Sequence, residues 1–200
     1  MKKLIIFLVT GILCCNIVIA KEIRTRFGFY IDLPNNFIAL QDQNLGDLLK
    51  EYEGSSINKE FFNDIMAGST KQDLNIEFYF PKNFDPEINS ININYQTDVS
   101  LGSMLNDFGL KDICPYYNEI FEELFKRKIN QYYCKLDKKF KPKFTRVIHT
   151  KHDGSVPEQI MIQYQFDVNK KMVTLTVGCD PKNCNSMQKT GENIIKSISY

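Results

Sequence analysis

Strict alternation of apolar and polar residues is clearest near the C-terminus. From Ile160 to Val168, the residues Ile160, Ile162, Tyr164, Phe166 and Val168 fall on one side of an extended chain, and Met161, Gln163, Gln165 and Asp167 on the other. Asn169-Lys170-Lys171 supplies a polar turn, after which Val173, Leu175 and Val177 alternate with Met172, Thr174 and Thr176. Period-two placement of β-branched and aromatic residues predicts two strands joined as a hairpin. Beyond Asn185-Ser186 the spacing changes: Met187, Gly191, Ile194, Ile195 and Ile198 recur as one helical stripe. A hairpin with one apolar face and a helix with one apolar stripe are predicted to pack on each other.

The same reading along the chain predicts a strand from Ile23 to Leu33, ended by Pro34-Asn35-Asn36, and a short strand over Phe37 to Leu40. Residues 44–70 form a polar insert with helical tendency. Its two pieces carry Leu45, Leu48, Leu49 and Phe61, Phe62, Ile65, Met66; Gly54-Ser55-Ser56 separates them, Asn58 caps the second and Gly68-Ser69 stops it. Strands follow at Leu74–Phe80 and Ile91–Tyr95, joined by a loop with two prolines. A helical region is predicted in two pieces, Val99 to Phe108 and Tyr117 to Phe125, broken at Cys114-Pro115 because a residue before proline avoids the helical region. Two further strands, Tyr132–Leu136 and Phe144–Thr150, flank a basic loop, and His152-Asp153-Gly154 reads as a loop before the closing unit. Adjacent strands on short connections imply an α+β fold with a mainly antiparallel sheet packed with helices.

Two hundred residues with 43% hydrophobic content suffice for one ordinary core. Lys2-Lys3, the apolar run Leu4 to Leu13 and Val18-Ile19-Ala20 form a secretory signal pattern over residues 1–20, leaving 21–200 as a single domain, exported to the periplasm or secreted. The residues before Cys14 and Cys15 do not suit a lipoprotein cut. Lys2 and Lys3 leave with the signal and no acid does, so the mature chain carries 23 basic against 24 acidic residues. That balance argues against nucleic acid as a partner. The basic run Lys138, Lys139, Lys141 and Lys143 reads as a solvated loop or edge. Four cysteines remain, and an even count in an exported chain favours disulfides. Three pairings are open; Cys179–Cys184 and Cys114–Cys134 close the shortest loops and are favoured.

The opening Phe29-Tyr30-Ile31-Asp32-Leu33-Pro34, the central Ile91-Asn92-Ile93-Asn94, the following helix, and the ending Val173-Thr174-Leu175-Thr176-Val177 then Ile194-Ile195-Lys196-Ser197-Ile198 resemble the PsbP-like family, whose fold the photosystem II extrinsic protein shares with a Ran-binding nuclear import factor. The resemblance implies an α/β/α sandwich and a non-catalytic accessory or binding role, and it carries over no site residue. Phe37 stands near where that family usually has Trp, and the 44–70 insert is long for it.

Candidate chemistry is sparse. His149 and His152 with Cys179 and Cys184 have the residue types of a zinc site, but oxidised cysteines cannot ligate. A cysteine–histidine nucleophile pair needs a free thiolate. Glu119, Glu122 and Glu123 lie on a helix exterior beside Lys126 and Arg127, which fits solvated ion pairs better than acid–base work. No cofactor or metal motif is present. The remaining signal is a set of polar, mostly uncharged strand positions: Asn75, Glu77, Asn92, Asn94, Gln163, Gln165, Thr174 and Thr176. On a single face they would offer amides and hydroxyls to a peptide, glycan or partner protein. Tyr116, Tyr117, Tyr132 and Tyr133 are expected to pack in the core, with an interface as the alternative. The sequence thus predicts an exported, non-enzymatic accessory or binding protein of the bacterial envelope that recognises an envelope protein or small ligand and does not span the membrane; a small envelope hydrolase is the alternative.

Overall fold

A computed structural model describes residues 20–40, 45–53, 59–71, 75–82 and 84–200. The expected signal segment as far as residue 19, with Asn58, Leu74 and the separator Gly54-Ser55-Ser56, lies outside the described residues. Nine strands and five helices follow in the order β1 (Ala20–Arg24), β2 (Tyr30–Pro34), β3 (Phe37–Ala39), α1 (Leu45–Glu51), α2 (Lys59–Lys71), β4 (Ile76–Pro81), β5 (Ser90–Gln96), α3 (Leu101–Asp107), α4 (Leu110–Phe125), β6 (Gln131–Leu136), β7 (Ile148–Asp153), β8 (Ile160–Val168), β9 (Lys171–Cys179) and α5 (Cys184–Ser197), counted among the described residues. Strands β3 to β9 make one antiparallel sheet in the order β3-β4-β5-β9-β8-β7-β6, and β1 and β2 pair as a separate ribbon.

The β8–β9 hairpin is the centre of this sheet. Asn169 and Lys170 adopt positive φ at its two-residue turn, a geometry that fits the right-handed twist of the strands they join. Pairing runs from Val168–Lys171 to Ile160–Cys179 without a slip. The apolar side of β8, β9 and β5 packs against β2 and α5 in the largest core cluster, with Ile31, Ile91, Tyr164, Phe166, Leu175, Val177, Met187, Ile194 and Ile195 all buried. Each such side chain contributes about 1.5–3 kcal/mol by leaving water. Helix α5 sits close because Gly191 faces the sheet: a Cβ there would lie 2.7 Å from Val177 Cγ2 and 3.2 Å from Leu175 Cδ2.

The opposite side of the sheet is covered in two separate patches. Leu48, Tyr52 and Phe62 from the insert pack on Phe80 and Phe78 of β4. Leu101 and Ile113, with Met104 and Leu105, pack on Ile148 and Met172. The carboxylate of Asp167, at the end of β8, accepts from the backbone N–H groups of Leu101 and Gly102 at 2.6 and 3.0 Å, which fastens the start of α3 to the sheet.

Several expected boundaries fall elsewhere. The first strand is not continuous from Ile23 to Leu33: Gly28 takes φ 90°, its N–H donates to the Thr25 carbonyl, and the chain doubles back as the β1–β2 ribbon. Helix α2 runs through Gly68-Ser69 to Lys71. The break in the helical region is at Gly109, φ 73°, and α4 continues through Pro115. The buried Ile113 and the neighbouring Cys114–Cys134 bridge hold the turn that proline weakens. Phe144 belongs to a loop and not to a strand; it and Phe140 drop from the lysine-rich segment into the core, 5% and 3% exposed, while the lysines stay outside. His152 and Asp153 lie within β7.

Both favoured disulfides are present. Cys114–Cys134 ties α4 to β6 and Cys179–Cys184 ties β9 to α5, with Cα–Cα separations of 5.8 and 5.0 Å, inside the usual range. They close loops of 20 and 5 residues, for which constraint of the unfolded chain contributes about 3 and 2 kcal/mol. Thiol titration of denatured, non-reduced protein comprising residues 21–200 is expected to find no free cysteine, and reduction to release four. At the helix–sheet contact, Gly191→Ala is expected to destabilise the fold by about 1–3 kcal/mol in urea denaturation, although alanine is the better helix former.

Candidate functional site

The polar side of β5, β9 and β8 forms two parallel rows. Strand register sets Asn94, Thr174 and Gln165 side by side, and Asn92, Thr176 and Gln163 in the next row. Sheet geometry spaces such positions about 4.8 Å apart across strands and about 7 Å apart along them. Each row therefore reads amide, hydroxyl, amide. One internal bond is made: Gln163 Nε2 donates to Thr176 Oγ1 at 3.3 Å.

These rows floor a cleft of about 330 Å³ between the sheet and the edge of α4. Tyr117, Ile120 and Phe121 make its apolar wall, and Ile76, Gln96 and Met172 its ends. Helix α4 is fixed over the far strands by the disulfide, by the ring of Phe121 stacked on His152 at 4.4 Å, and by the Gln131 side chain donating to the Cys114 carbonyl at 3.2 Å. It reaches over β6, β7 and β8 but leaves the rows open between itself and the insert on β4. Among the described residues lining the cleft, none is charged.

The floor is not internally satisfied. Gln165 and Gln163 are 4% and 8% exposed, yet Oε1 of each has no hydrogen-bond partner, nor has Oδ1 of Asn94. The Tyr117 hydroxyl lies against the Gln165 amide and His152 Nε2 against the Gln163 amide, close enough to act on the titration of the phenol and the ring but short of a well-aligned hydrogen bond; Thr150 Oγ1 nearby is also unpaired. Burial pushes the Tyr117 phenol up to about 12, so it stays protonated and available as a donor.

Six of the eight polar strand positions singled out in the sequence thus come together: Asn92, Asn94, Gln163, Gln165, Thr174 and Thr176. Asn75 and Glu77 do not join them. Asn75 precedes β4 in an exposed position. Glu77 pairs beside Ile93 on the opposite face, where it accepts from the Arg26 N–H and the Tyr79 hydroxyl, both at 2.6 Å. Strand β4 reverses the polarity of its neighbour because the insert supplies apolar cover for Phe78 and Phe80. A cleft beside this helix is one of the two binding places the sequence suggests, the other being the sheet edge, but the wall residues themselves carry no signal. Tyr117, Ile120 and Phe121 have ordinary core spacing, and only the absence of a partner over the rows makes them a wall. Tyr116 and Tyr132, expected in the core, are 58% and 54% exposed.

The two histidines, three apart on β7, project to opposite faces. Cys179 and Cys184 are bonded to each other, so the four residues do not converge. Glu122 pairs with Lys128 at 2.7 Å on the helix exterior. His149 lies in a different environment, stacked on Tyr164 at 4.3 Å. Its Nδ1 meets Asp137 at 3.1 Å and its Nε2 meets the Tyr133 hydroxyl at 2.9 Å. With a neutral ring, Nδ1–H donates to the carboxylate and Nε2 accepts from the phenol, so every group in the chain is paired. Burial pushes the His149 ring down from 6.5 to about 4, against the opposing pull of Asp137. Burial pushes the Tyr133 phenol up to about 12, which disfavours its use as a nucleophile.

Because the folded protein holds His149 neutral, stability is complete above the unfolded value near 6.5. It falls as pH drops towards 4, where the unfolded chain gains a proton that the native state refuses. The shift corresponds to at most about 3 kcal/mol. Urea denaturation at pH 7 and pH 4 is expected to show that loss, and His149→Phe to flatten the profile across this window.

No protein-family model matches the sequence, and no curated protein does. A solved structure does match: the chain is similar to the solution structure of cyanobacterial PsbP (CyanoP) from Synechocystis sp. PCC 6803 over 92% of its own length and 93% of that chain, with a TM-score of 0.57 and 9% sequence identity. At that identity the likeness is one of fold, and the architecture described above, helices on an antiparallel sheet, is PsbP-like.

Proposed function

We propose that this is an exported, non-enzymatic accessory protein of the cell envelope, which holds a ligand or a partner's surface group in the cleft between α4 and the β5–β9–β8 rows. One observation carries the reading: Asn94, Gln163 and Gln165 line an uncharged cleft, and the amide oxygen of each is buried without a hydrogen-bond partner. A buried acceptor left unpaired costs about 1–3 kcal/mol, and a fold needing only stability would replace these side chains with apolar ones. Two disulfides suit an oxidising compartment, and the PsbP-like fold is compatible with an accessory role. A hydrolase would require an activated group. The hydroxyl–imidazole–carboxylate chain Tyr133–His149–Asp137 lies on the other face of the sheet and keeps its phenol protonated.

The reading separates a floor kept for binding from a floor kept for folding, and stability distinguishes them. Gln165→Leu removes an unpaired acceptor and retains the bulk of the side chain. It is expected to raise the unfolding free energy of the ligand-free protein by about 1 kcal/mol in urea denaturation. A loss of stability of similar size would show that the amide serves the fold and would remove the case for a site.

A further inference from the structure

We propose that the cleft takes a neutral saccharide of one or two rings, an inference that rests on the binding reading above. The lining contains amides, hydroxyls and apolar groups and no described charge, so an ionic ligand would lose its hydration with no counter-charge in return. The unmet demand is specific. Three buried carbonyl oxygens, on Asn94, Gln163 and Gln165, have no hydrogen-bond partner, and the Tyr117 hydroxyl on the wall can give or accept. A side-chain amide holds an acceptor and a donor in one plane, a pair that two neighbouring ring hydroxyls can complete. The rows repeat this amide in two dimensions across three strands, as a ring bearing hydroxyls around its rim requires. Tyr117 and Ile120 stand at the side, where the C–H surface of such a ring can leave water.

An extended peptide fits less well. Strand addition uses the unpaired backbone of a sheet edge, whereas β5, β9 and β8 are interior strands whose backbones are already paired on both sides. A volume of about 330 Å³ is at the lower end of the roughly 300–1,000 Å³ typical of small-molecule sites, enough for a short glycan and not for a folded domain.

The test is an NMR titration of the ¹⁵N-labelled mature protein with α- and β-linked homodisaccharides of glucose, galactose, mannose and N-acetylglucosamine, together with glucuronic acid and an uncharged tripeptide. At least one neutral disaccharide is expected to shift the side-chain amide signals of Asn92, Asn94, Gln163 and Gln165, and its O-methylated form to shift none of them. Gln165→Leu and, separately, the shape-preserving Thr174→Val are each expected to weaken that binding about tenfold. The Thr174 variant reads the binding independently of the Gln165 side chain. No shift of these signals with any neutral sugar overturns the inference, as does a stronger response to glucuronic acid. Shifts with the tripeptide alone overturn the saccharide assignment and leave the cleft as a site for another ligand, whereas destabilisation by Gln165→Leu in the ligand-free protein removes the site itself.

Discussion

The architecture depends on one contact: the stripe of α5 pressed onto the aliphatic side of β9 and β8. Val177 and Leu175 come close enough to Gly191 that no other side chain fits between helix and sheet. The buried residues of β2 close the same face beside the helix. With the main core sealed on this side, the sheet has no need of a second full apolar layer. The opposite side can then be dressed in patches, one from the insert over β4 and one from α3 and α4 over β7 and β8. The amide rows lie in the gap between the patches. Their polarity is tolerable because the stabilising burial has already been achieved on the other face.

Where sequence reading succeeded, local pattern and tertiary need agreed. The nine residues Ile160–Val168 alternate without interruption, a short polar turn follows, and the helix after it has a single stripe, so nothing competed with the hairpin–helix reading. The short loops between cysteines likewise fit the elements they bridge. Failures arose where one residue outweighed a longer pattern. Gly28 turns an apparently continuous alternating strand into a ribbon, because only a residue without a Cβ takes φ 90° at low cost. Pro115 looked like a helix breaker, but Gly109 is the break, and the core burial of Ile113 carries the helix past the proline.

The site was half legible for a related reason. Alternation shows which residues share a face within one strand, but not which faces of two strands coincide. Polarity alone groups Asn75 and Glu77 with Asn92 and Asn94, whereas the register places Glu77 beside Ile93. The insert inverts the expected polarity of β4, and a helix pair distant in sequence from its strand leaves no trace in that strand's own pattern. The histidines show the same limit from another side: three residues apart in a loop they could converge, but within β7 an odd separation sends them to opposite faces.

On the proposed reading the two disulfides bear on the cleft as well as on folding. Each joins a helix to a strand of the main sheet, Cys179–Cys184 on the sealed side and Cys114–Cys134 on the open side. The second fixes the first half of α4 to β6, while Phe121 rests on His152 further along, so the helix is held at two points. The wall formed by Tyr117, Ile120 and Phe121 falls between or beside those points. A wall anchored in this way sets the cleft's width before a ligand arrives, and the ordering cost that weakens binding by mobile loops is met during folding. The unpaired acceptors of the floor are held by neighbouring strands on both sides, so they too are in place beforehand. Rigidity in the wall and unmet hydrogen-bonding capacity in the floor are both unfavourable or neutral for the empty protein. Their coincidence at one cleft is what the proposed recognition would require.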